Sequence, residues 1–223
     1  MTFKLFIQAI LKFALGVVLV GALIFLPAGT LAFAGGWLLM GILFIPMFIA
    51  GIVMMIFNPS LLASRLDAKE KEKEQSVVVK LSGLMFIFGF VLAGLDFRFG
   101  TLKLPFAVNI AAAVVFLLAY VLYAEVLREN TYLSRSIKVV DGQKVISTGL
   151  YGIVRHPMYF ATLLLFMSIP FVLGSLISFI VFLAYPVIIS KRIKNEEEVL
   201  TRELEGYEEY KKKVKYRMLP FIW

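Results

Sequence analysis

Two short polar clusters hold most of the chemistry this chain could perform. The first is GLYGIVRHPMYF, residues 149–160, which contains Arg155 and the only histidine, His156. The second is KRIKNEEEVL, residues 191–200, in which Arg192 and Glu196 stand four residues apart and Glu197 follows directly. Guanidinium groups, an imidazole and neighbouring carboxylates can bind anions, orient an acceptor or move protons. Pro157 suits the first turn of a helix, where its missing amide hydrogen is not needed, and an apolar run follows at once. His156 would then stand at a helix entrance, where free amides and the positive dipole end can receive a carboxylate or phosphate. Gly149 and Gly152 permit a turn or a close approach, while Tyr151 and Tyr159 offer flat faces and hydroxyls. Local physics leaves a second reading open for each cluster. Arg155 could meet lipid phosphate with the tyrosines in an interfacial belt. Arg192 and Glu196, stacked on one helical face, could be an exposed salt bridge worth roughly 0.3–0.5 kcal/mol.

The elements that must position these clusters are membrane helices. The chain has 223 residues, of which 61% are hydrophobic, too apolar for an ordinary soluble domain. Apolar runs occupy residues 5–26, 31–57, 77–95, 104–127 and 158–190. The first four have the length of a membrane-crossing helix, about 20 residues. The run at 5–26 is longer than a secretion-signal core and more apolar segments follow, so it reads as a retained first span. The fifth run, 33 residues long, is broken by Pro170 and Gly174. That break predicts a hairpin of two short or tilted helices, 158–170 and 175–190. The expected fold is therefore all-α and polytopic: four spans, a proline-broken helical hairpin and an amphipathic C-terminal helix.

Charge placement supports the hairpin. The chain carries 23 Lys and Arg against 15 Asp and Glu, a net +8, and these basic residues fall mostly between the apolar runs. Anionic lipid and membrane orientation account for them, and no recognition motif supports nucleic acid as a partner. With the N-terminus inside, Lys4, the segment Arg65 to Lys80 and the segment Arg128 to Arg155 lie inside, while Arg98 and Lys103 lie outside. The tail after residue 190 holds nine Lys and Arg and belongs inside too, which only a hairpin allows. The sequence thus predicts a multi-pass membrane protein whose N-terminus, active site and C-terminus are cytoplasmic. The alternating charges of DAKEKEKEQ, 67–75, read as a solvated connection or helix extension. With no cysteine, disulfides, thiolate metal sites and cysteine nucleophiles are excluded, and one histidine rules out a multi-histidine metal centre. Leu204, Tyr207, Tyr210 and Val214, spaced by three and four, predict an amphipathic helix over 201–217 that lies on headgroups or covers a site.

RHPMY at 155–159, RIKNEE at 192–197 and the terminal GYEEYKKKVKYRMLPFIW from 206 occur in this order around a broken hairpin. Together they resemble the integral membrane methyltransferases that include isoprenylcysteine carboxyl methyltransferase and the phospholipid methyltransferases. The resemblance covers about residues 120–223, and the earlier spans match in character only. It divides the chain into N-terminal transmembrane helices, 1–103, and a methyltransferase core, 104–223. The resemblance implies S-adenosyl-L-methionine as methyl donor, with Gly149, Tyr151, Arg155, His156, Pro157, Tyr159 and Glu197 as cofactor contacts. Arg192 and Glu196 become the catalytic or substrate-orienting pair. The implied acceptor is lipophilic or amphiphilic and enters among membrane lipids, such as the carboxylate of a prenylated cysteine or a related lipid. Alternatives of the same architecture are a phospholipid N-methyltransferase, an NADPH-dependent sterol-type reductase and a non-catalytic membrane protein.

Overall fold

The computed structural model describes residues 3–66, 73–100, 104–133 and 139–223. Most of the charged loop at 67–75, and Lys103, lie outside these residues. The described chain is all helix and loop: α1 (Phe3–Ala28), α2 (Ala34–Phe57), α3 (Pro59–Leu66), α4 (Lys73–Phe99), α5 (Phe106–Glu129), α6 (Pro157–Val172), α7 (Leu176–Phe182), α8 (Ala184–Glu203) and α9 (Tyr207–Lys213). A single 3-10 turn, Gly149–Gly152, precedes α6. Among the described residues five helical segments are long and apolar enough to cross a membrane: α1, α2, α4, α5 and the joined α7–α8, Leu176–Glu203. This is an all-α, polytopic membrane protein. Its outer helix faces stay apolar and exposed, as at Leu15, Val18, Ile45 and Val121, since lipid rather than water would surround them. Lys12, inside the first span, donates from Nζ to the Leu66 carbonyl at 2.6 Å, meeting a free carbonyl at the end of α3.

The hairpin is present but asymmetric. α6 runs through Pro170 and ends at Val172, two residues beyond the expected stop. The turn itself falls at Gly174, whose φ of +72° suits a residue without Cβ. Neighbouring helices satisfy its polar groups: Asn109 Nδ2 donates to the Val172 carbonyl at 2.9 Å, and Ser175 Oγ donates to Asp96 at 2.6 Å. Ser175 also accepts from the Ser178 amide, capping α7. The expected second arm, 175–190, continues to Glu203 and is membrane-length in its own right, 28 residues. It bends at Leu183, between α7 and α8. Pro186, with no amide hydrogen to offer the Phe182 carbonyl, accounts for the bend.

The tail also departs from the expected 201–217 helix. α8 covers its first residues, the chain turns at Gly206, and α9 holds seven residues. Leu204, Tyr207, Tyr210 and Val214 do form a stripe, but it is buried against Val139, Val145 and Leu200 of the same chain. The stripe therefore packs on protein rather than on headgroups. The main core joins α1, α2, α4, α5, α6, α7 and α8 around Phe116, Phe182, Leu39 and Ile193.

Candidate functional site

α8 presents two neighbouring rows, each repeating every four residues. Tyr185, Ile189, Ile193 and Glu197 are buried in the core. Arg192, Glu196 and Leu200 line a cavity between α8, the loop before α6 and the tail. The adjacent glutamates thus belong to different environments.

Glu197 is the hub of a buried ion cluster. Its Oε1 accepts from Arg155 Nε at 2.6 Å and lies 3.2 Å from His156 Nε2, while Oε2 accepts from Arg217 Nε at 2.9 Å. A carboxylate accepts only, so the His156 contact requires a proton on Nε2. Arg155 Nη1 also donates to the carbonyls of Val214 and Lys215, at 2.7 and 2.9 Å. The amides of Arg155 and His156 donate to the carbonyls of Tyr216 and Arg217. Both amides are therefore engaged by the tail rather than free for an anion. The cluster ties the loop before α6, the end of α8 and the C-terminal segment into one unit.

The cavity encloses about 790 Å³ of empty space, its open mouth included. Of the residues singled out from sequence, Tyr151, Arg155, His156, Tyr159, Arg192 and Glu196 line it. Gly149, Pro157 and Glu197 lie behind its wall. Tyr159 stands between the proposed pair: its hydroxyl accepts from Arg192 Nε at 3.0 Å and donates to Glu196 Oε2. Its ring stacks near His156, with centroids 5.7 Å apart. Pro157 begins α6 as expected, with His156 at the position before it. Within the first turn of the helix, Tyr159 then projects toward α8.

Gly149 shapes the loop from below. Its φ is +49°, and a Cβ there would meet Glu129 Oε1 at 2.4 Å. The vacant space lets Glu129 accept from Thr148 Oγ1 at 2.8 Å and from the Leu150 amide at 3.2 Å. Sequence reasoning missed the wall residues Asn130, Tyr132, Gln143 and Lys144, whereas Leu204, Tyr207 and Tyr210 of the tail stripe line the cavity, as the site-covering reading of that stripe expects. Asn130 Nδ2 donates to the Tyr151 hydroxyl at 3.1 Å, and Tyr210 donates to the Tyr151 carbonyl at 2.7 Å. No periodic signal marks the residues at 130–144. Burial pushes the phenols of Tyr151, Tyr207 and Tyr210 above their ordinary value, so they stay protonated. Among the described residues no group of three or more His, Asp or Glu side chains is arranged to hold a metal.

Fold and site define a helical membrane protein with a polar, tyrosine-rich cavity at the end of its helices, closed on one side by its own tail. The isoprenylcysteine carboxyl methyltransferase (ICMT) family matches residues 110–202, from α5 to the end of α8. Two curated relatives are Delta(14)-sterol reductases. TM7SF2 of Mus musculus is 26% identical over 91 residues, 40% of this chain and 22% of its own length. The reductase of Methylotuvimicrobium alcaliphilum is 29% identical over 93 residues, again 40% of this chain and 22% of its own. The chain therefore spans about a fifth of the length of the relatives it matches.

Proposed function

We propose that this chain is an S-adenosyl-L-methionine-dependent methyltransferase of the isoprenylcysteine carboxyl methyltransferase type, acting on an amphiphilic acceptor that bears a carboxylate. The observation that carries the reading is the Arg192–Tyr159–Glu196 arrangement on the cavity wall, inside the segment that matches the family. The cavity's aromatic faces and polar groups suit an adenosyl amino acid. S-adenosylmethionine, when bound, supplies an activated methyl group on a sulfonium. What remains for the protein is alignment and exclusion of water. Tyr151, Tyr159, Arg155 and His156 form the cofactor wall, with Gly149 and Pro157 setting its backbone and Glu197 bracing it from behind. Arg192 holds the acceptor carboxylate through its planar fork. Tyr159 and Glu196 fix the direction of that fork. The core at 104–223 carries the site, and the helices of 1–103 complete the membrane body.

The test is transfer of isotopic label from S-adenosylmethionine to prenylcysteine, aminophospholipid or membrane-extract acceptors. Label in a lipid-extractable carboxyl ester is the expected result. Label on a headgroup nitrogen would replace the acceptor with a phospholipid amine, and label only in a small water-soluble product would reject lateral lipid access. The match to sterol reductases gives a second reading, an NADPH-dependent reductase. Binding of NADPH without any methyl transfer would move the assignment there.

The same reading places the N-terminus, the cavity and the tail on the cytoplasmic side, supported by the Lys and Arg concentrated at those segments. Impermeant labelling at positions 100, 140 and 223 should separate 100 from the other two. Residues 140 and 223 on opposite sides would contradict it.

A further inference from the structure

Five tyrosines are buried at or near the cavity: Tyr151, Tyr159, Tyr185, Tyr207 and Tyr210. Four have their hydroxyls engaged, by Asn130, by Arg192 and Glu196, by Thr162 and by the Tyr151 carbonyl respectively. Tyr207 is the exception. It is 4% exposed, and its hydroxyl is the buried side-chain polar atom that lacks a partner among the described residues. Such a hydroxyl costs folding free energy that a phenylalanine at the same place would not. The ring alone would serve the tail's apolar stripe, where it packs on Tyr210 with centroids 5.7 Å apart. The hydroxyl is thus unexplained by packing, and its residue lines the cavity.

We infer that the Tyr207 hydroxyl is a ligand contact, donating a hydrogen bond to an acceptor oxygen or nitrogen of the S-adenosyl cofactor; this rests on the methyltransferase reading. Burial and the charges of Glu197 and Glu196 keep the phenol protonated, so it approaches a ligand as a donor. Glu197 already receives Arg155 and Arg217, and Glu196 receives Tyr159. An acceptor carried in by the cofactor satisfies Tyr207 without disturbing either. The tail is then part of the binding site, supplying the cavity with a polar contact of its own.

Tyr207→Phe removes that oxygen and little else. The full-length variant and wild type are compared in nanodiscs by thermal melting and by calorimetry with S-adenosylhomocysteine. The expected result is an unliganded melting temperature equal to or above wild type and an affinity about 3- to 10-fold weaker, the usual loss for one hydrogen bond. Tyr210→Phe should instead lower the unliganded melting temperature, because its hydroxyl holds the Tyr151 carbonyl. Unchanged affinity in Tyr207→Phe beside normal wild-type binding would overturn the inference and leave the methyltransferase reading standing. A melting loss like that of Tyr210→Phe would also overturn it, by revealing a structural partner. If wild type fails to bind S-adenosylhomocysteine, that reading fails and the S-adenosyl contact falls with it.

Discussion

Glu196 and Glu197 differ by one position and about 100° around α8, yet they meet different surroundings. Glu197 continues the row Tyr185–Ile189–Ile193 into the core and is 4% exposed. It is matched there by two guanidinium groups and an imidazole hydrogen bond. Glu196 continues the row from Arg192 to Leu200 along the cavity and shares the Tyr159 hydroxyl with Arg192. A run of acidic residues in sequence is therefore two devices in space. One glutamate clamps the tail and the loop before α6 onto the helix; the other faces whatever enters the cavity. In a buried cluster the cost of removing one partner far exceeds the net worth of the pair, because the remaining charges lose compensation. At a cavity wall water can replace a lost partner, so stability changes little and function changes more.

The largest expected effect is therefore on the clamp. Glu197→Ala should destabilise the protein by about 3–5 kcal/mol, the usual consequence of breaking a buried ion pair. Thermal melting in detergent, with limited proteolysis of the tail, would show it. Arg217→Ala should cost less, since that side chain is 32% exposed and water can take its place. Equal melting temperatures for Glu197→Ala and wild type would remove Glu197 from its role as hub.

Much of the membrane fold was legible in sequence for a simple reason. Helices that must satisfy every backbone group internally need long apolar runs, and such runs are visible without tertiary information. The hairpin was legible too, because Pro170 and Gly174 interrupt one. The bend at Leu183 was not expected: Pro186 sits inside an unbroken apolar stretch, and its effect falls a few residues upstream. The tail's stripe is legible from its spacing, which leaves headgroups and a covered site both open; nothing local reveals that Val139 and Val145 cover it, or that the helix stops at Glu203 and restarts at Tyr207.

The candidate site divides in the same way. Arg192, Glu196, Tyr159 and His156 are marked by residue type and spacing, and the fold brings them to one cavity. The different surroundings of Glu197 had a signal that spacing alone carried: it lies in phase with Ile189 and Ile193, a carboxylate completing an apolar row. Asn130, Gln143 and Lys144 come from a loop with no periodicity, so only the folded chain brings them to the wall.

The central claim is that the Arg192–Tyr159–Glu196 face works on the acceptor while the Glu197 face holds the protein together. Tyr159→Phe tests it most directly, since it deletes the shared hydroxyl and keeps the ring. Methyl transfer from labelled S-adenosylmethionine is measured at saturating donor, alongside the melting temperature. The account predicts a melting temperature close to wild type and a kcat/KM for the acceptor lower by about 10- to 100-fold, as expected for a lost hydrogen bond to charged groups. Transfer at the wild-type rate, or a loss explained entirely by unfolding, would contradict it.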